Sequence, residues 1–66
     1  MQLIINGICK KFSTQLTVQQ LLVELGLSPE RVVVELNRNI LTTEKHSSTE
    51  LKSGDTIELV QFVGGG

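Results

Sequence analysis

The sequence predicts a small α+β domain in which one short helix packs on one face of a sheet. Three observations carry this reading. The apolar residues gather in short runs rich in β-branched side chains, with seven Val, five Ile and no Ala in the chain, and such runs favour strands. Asn6-Gly7 stands between two of these runs and signals a hairpin, because a type I′ turn needs positive φ at both central residues. Val18, Leu21, Leu22 and Leu25 recur at i, i+3, i+4 and i+7, which places them on one helical stripe.

Met1 to Asn6 is the first strand and Ile8 to Phe12 the returning one. A two-residue turn sets Ile5 opposite Ile8, Leu3 opposite Lys10 and Met1 opposite Phe12, which collects Met1, Leu3, Ile5, Ile8 and Phe12 on one side. Lys10 is the misfit on that side. An inward-leaning lysine on an edge strand discourages edge pairing, whereas a bulged turn shifts the register instead. Thr17 followed three residues later by Gln20 has the form of a capping box and starts the helix. Gly26 is placed to end it in the left-handed conformation, Leu27 packs back over the last turn, and Ser28-Pro29 prevents continuation. Arg31 to Leu36 reads as a third strand, Asn37-Arg38-Asn39 as a turn, and Ile40-Leu41 as a stub of strand. The polar stretch from Thr42 to Glu50 is expected to be a solvated loop with at most one helical turn, and Leu51 an apolar plug before the Gly54-Asp55 turn. Thr56 to Phe62 is the last strand.

Composition narrows the function. A chain of 66 residues buries only about 60% of the surface its unfolded form exposes, so it holds one domain. A ligand cleft of roughly 300 Å³ or more consumes most of such a core, which argues against a conventional enzyme. Seven acidic and six basic side chains provide no basic stripe for nucleic acid and no polybasic cluster for a membrane surface. No apolar run approaches the roughly 20 residues of a membrane helix, and a single Cys9 fits a reducing compartment, so a cytoplasmic location is expected. Cys9 reads as an inert small hydrophobe and His46 as a solvated residue without zinc-ligand spacing around it, so no catalytic or metal-binding residue is expected. Lys10-Lys11 reads as an edge-strand charge pair, and Gly54-Asp55 as a turn rather than a phosphate loop.

The last three residues are the most informative. Gly64, Gly65 and Gly66 account for half of the six glycines, and a run without Cβ atoms extends readily into a narrow slot in another protein. An unhindered carboxylate suits activation as an acyl-adenylate. Residues 1–63 are therefore read as the folded domain and 64–66 as a tail. In the strand before the tail, Val60 and Phe62 share the face opposite Ile57 and Leu59, and Ile4 and Val33 fall on that same face by alternation. One helix covers one face of a sheet this small, so Ile4, Val33, Val60, Phe62 and the adjoining Val63 are expected to form an exposed docking surface.

Gln61-Phe62-Val63-Gly64-Gly65-Gly66, the strand Asp55 to Val60, the Asn6-Gly7 turn, the helix start Thr17-Val18-Gln19-Gln20-Leu21-Leu22 and the segment Val34-Glu35-Leu36-Asn37 together resemble the thiamin-biosynthesis sulfur carriers of the ThiS family. The resemblance covers the whole chain. It implies a ubiquitin-like β-grasp fold with four to five strands, the first and last paired in parallel at the sheet centre. It also implies a carrier, not an enzyme. A ubiquitin-activating-type adenylyltransferase using ATP and Mg would adenylate Gly66, sulfur supplied from cysteine through a desulfurase would convert it to a thiocarboxylate, and thiazole synthase would take the sulfur. Gly66 carries over as the modified residue and Gly64 and Gly65 as the threading tail, with no cofactor held by the domain itself. The alternatives are a small-subunit carrier of molybdopterin synthase, a ubiquitin-like modifier joined to lysines, and a plain binding module with a passive tail.

Overall fold

In the computed structural model, which describes residues 1–62, the chain runs through β1 (Gln2–Ile5), β2 (Ile8–Lys11), α1 (Val18–Glu24), β3 (Val32–Leu36), β4 (Asn39–Leu41) and β5 (Thr56–Gln61). The Asn6-Gly7 turn forms as its sequence dictates, with φ of 50° and 80°, and the hairpin takes the two-residue register: Ile5 opposite Ile8, Leu3 opposite Lys10. Asn37 and Arg38, at φ of 49° and 72°, make the same kind of turn between β3 and β4. The sheet order is β2-β1-β5-β3-β4, with β1 and β5 parallel and the other neighbours antiparallel. This is the β-grasp arrangement with five strands.

The helix is only seven residues, so its ends matter more than its propensity. Both halves of the capping box are present: Gln20 N–H donates to Thr17 Oγ1 at 3.2 Å and Thr17 N–H to Gln20 Oε1 at 2.9 Å. At the other end Gly26, at φ 72°, lets its N–H reach Val23 O at 3.0 Å while Leu27 N–H reaches Leu22 O at 2.9 Å, the paired bonds of a Schellman motif. The remaining first-turn amides are satisfied from a distance. Val18 N–H donates to Thr49 O at 2.9 Å and Gln19 N–H to His46 O at 3.0 Å, so the segment after β4 closes over the start of α1.

That segment corrects one expectation. The polar sequence around His46 predicts a solvated loop, but His46 is buried, with 3% of its surface exposed and no hydrogen-bond partner at Nδ1. The 3₁₀ turn Thr43–Lys45 carries His46 against the helix start, because its carbonyl is one of the acceptors the helix needs. Leu51 follows as the expected plug, fully buried, with its N–H on Leu16 O at 2.8 Å.

The core is Leu3, Ile5, Val18, Leu21, Leu22, Val32, Val34, Leu51 and Ile57, all on the helix side of the sheet. Ile8 is the second correction: it faces this side in the expected register yet is 61% exposed. A seven-residue helix is about 10 Å long at 1.5 Å per residue and covers the central strands, leaving every residue of the edge strand β2 exposed. Pro29–Arg31 forms a 3₁₀ turn, so β3 starts at Val32 rather than Arg31, and β5 ends at Gln61, one residue short of the expected Phe62.

Candidate functional site

The predicted site is a tail, the strand that leads to it and the sheet face opposite the helix. Val63, Gly64, Gly65 and Gly66 lie outside the described residues. Of the rest, the structure pairs Val33 directly with Val60 across β3 and β5. Val60 is 57% and Phe62 59% exposed, on the face away from the core. Phe62 N–H donates to Arg31 O at 2.8 Å, so the main chain is held to the residue just before β3 up to the last described residue. Ile4 is on the same face and exposed, but further back: it stands opposite Thr56, four positions before Val60 on β5. Between the two levels Glu35 and Glu58 face each other, an unfavourable pairing of like charges. The apolar face thus has a cluster of Val33, Val60 and Phe62 at the exit of β5 and a separate position at Ile4, beside Cys9 on the exposed edge strand.

Two asparagines, read from sequence only as turn formers, hold β5 in place. Asn37 Oδ1 accepts from Thr56 N–H at 2.9 Å, and Asn37 Nδ2 donates to Asp55 Oδ1 at 3.0 Å. Asn6 acts higher on the strand. Its N–H donates to Ile57 O at 2.9 Å, its Oδ1 accepts from Leu59 N–H at 2.7 Å, and its Nδ2 donates to Leu59 O at 3.3 Å. The Asn6 amide therefore stands in for one more peptide of β1 and extends the parallel ladder past the turn. Asn6→Ala loses both side-chain bonds and a residue tolerant of φ 50°, so a loss of about 1–3 kcal/mol in chemical denaturation is expected. Asn6→Asp keeps the acceptor and should lose less.

Among the described residues no group of three His, Cys, Asp or Glu side chains could hold a metal ion, and no helix is long and apolar enough to cross a membrane. The concavities lined by the described residues bring no set of catalytic groups together. What the geometry provides is a β-strand braced on both sides, running out toward three glycines.

The ThiS family model matches residues 3–66, nearly the whole chain and including the glycine run. The chain belongs to the ThiS family. The sulfur carrier protein ThiS of Bacillus subtilis is 44% identical over 50 residues, 76% of each chain. The crystal structure of the thiamine biosynthesis protein ThiS from Geobacter metallireducens superposes with a TM-score of 0.85 at 38% identity, covering 100% of both chains. Thiazole synthase of Paramagnetospirillum magneticum is 41% identical over all 66 residues, and that of Magnetococcus marinus 35%. The chain spans only 20% of the length of each of these two synthases.

Proposed function

We infer that this ThiS-family chain carries sulfur for thiamin thiazole formation, as a thiocarboxylate at Gly66. The observation that carries the reading is the family match through residue 66, which joins a braced β-grasp body to the glycine run. The Gly66 carboxylate attacks the α-phosphate of ATP on an adenylyltransferase, releasing pyrophosphate, and sulfide, freed from the donor's persulfide by a reducing thiol, then attacks the acyl carbon of the adenylate, forming the C–S bond of the thiocarboxylate and expelling AMP. Sulfur derives from cysteine through a desulfurase, and Mg and ATP are bound by the activating partner. Glycines at 64 and 65 let the tail enter that partner's slot, and the small domain contributes no catalytic group. The likeness to thiazole synthases favours the thiamin branch over a molybdopterin carrier or a lysine-linked modifier, with thiazole synthase as acceptor. A cytoplasmic location accords with the exposed free thiol of Cys9.

Incubation with an activating partner, ATP and a sulfur source should raise the intact mass by about 16 Da, one oxygen replaced by sulfur. An unchanged mass with a partner shown to be active would refute the reading. The exit cluster of Val33, Val60 and Phe62 is the surface a partner covers. Phe62→Asp should weaken complex formation at least about tenfold by calorimetry while shifting stability by less than about 0.5 kcal/mol, since the ring lies outside the core. Equal binding by this variant would place the docking surface elsewhere.

A further inference from the structure

On the opposite side of the sheet, where α1 stops short, lies a concavity of about 270 Å³. Its walls include Ile8 and Lys10 from β2, Leu25 and Leu27 from the end of α1, and Leu59 and Gln61 from β5. The aliphatic side chains of Ile8, Leu25, Leu27 and Leu59 are all at least partly exposed, and Lys10 is the one charged residue on the lining. The main chain beside it is also open to pairing. Phe62 N–H bonds to Arg31 and Val60 is registered with Val33, so alternation turns the Gln61 amide and carbonyl away from β3. On that side β1 has ended at Ile5, and the Asn6 side chain extends its ladder only to Leu59.

We propose that this groove receives an extended segment of the thiazole synthase that accepts sulfur from the tail, pairing its main chain with Gln61, seating an aliphatic side chain against Ile8 and Leu27, and placing a carboxylate on Lys10. The occupant follows from the lining. An exposed strand edge accepts another strand, alternate side chains of an added strand fill the pocket on one face, and an ammonium beside aliphatic walls selects a carboxylate. Lys10, the misfit of the hairpin, is then the residue that chooses the partner. Gln61 is five residues from Gly66, so a segment seated here belongs to a protein within reach of the tail. Together with the Phe62 cluster on the other face, the partner grips the exit of β5 from both sides.

This rests on the sulfur-carrier reading, and the test separates the two. Binding of the full chain to a thiazole synthase is measured by calorimetry for the unaltered protein, Lys10→Glu, Ile8→Ser and Phe62→Asp, with thermal unfolding of each. Lys10→Glu and Ile8→Ser are expected to weaken binding about tenfold each without changing the unfolding midpoint, and Lys10→Ala to flatten the salt dependence. Exchange of the Gln61 amide should slow in the complex. If both groove variants bind as tightly as the unaltered chain while Phe62→Asp does not, the groove proposal falls and the carrier reading stands. If the unaltered chain fails to bind, both fall.

Discussion

Removing Gly66 is expected to abolish the gain of about 16 Da on incubation with an activating partner, ATP and a sulfur source, and to leave the fold unchanged. The proposed function puts the chemistry at one carboxylate, that of Gly66. A chain ending at Gly65 still presents a carboxylate, but one residue short, and a reacting atom displaced by one residue, about 3.3–3.6 Å, lies outside the near-attack distance that activation requires. The core runs from Leu3 to Ile57, so the shortened chain should keep its thermal midpoint to within about 2–4 °C. A retained mass gain in the shortened chain would show that the activating partner tolerates register, and that Gly66 is not the singular site.

The second large effect is on stability. Leu51 is fully buried in a segment that has no strand of its own, and its neighbours Thr49 and His46 supply acceptors to the start of α1. Leu51→Ala should cost roughly 2–5 kcal/mol from lost burial and the cavity left behind. At about 0.05–0.15 kcal/mol per residue, a domain of 66 residues has about 3–10 kcal/mol in total, so this one change removes a large part of it. A fall in the thermal midpoint of about 10–30 °C is expected by circular dichroism. Val23→Ala, on the exposed side of the same helix, is the control and should change little. A midpoint lowered by less than about 5 °C in Leu51→Ala would mean that the plug is not what holds the segment.

What could be read from sequence was what depends on neighbours in the chain. Thr17 and Gln20 announce a helix start three residues apart, Gly26 an end, and Asn6-Gly7 a turn whose two-residue length fixes Ile5 opposite Ile8. Alternation in β5 separated Ile57 from Val60 and Phe62 correctly, because the period of a strand is set by its own backbone. The parallel pairing of β1 with β5 came only from the family resemblance, since no local signal links residues about fifty positions apart. The polar composition around His46 predicts a solvated side chain, whereas the unsatisfied amides of α1 decide where it goes. The turn role of Asn6 accounts for its identity so fully that its bonds to Leu59 leave no separate trace in the sequence.

The central position of β5 also governs when this protein can exist. During synthesis β1, β2, α1, β3 and β4 emerge first, but β1 and β3 have no common neighbour until Thr56–Gln61 is available to lie between them. A nascent chain lacking those residues has two separate hairpins and a helix with no joined sheet beneath it. Contacts between distant segments carry the largest closure cost and form late. The domain therefore cannot close its sheet until Thr56–Gln61 has been made, and a product that stops before Thr56 has two hairpins but no shared core strand to stabilise them.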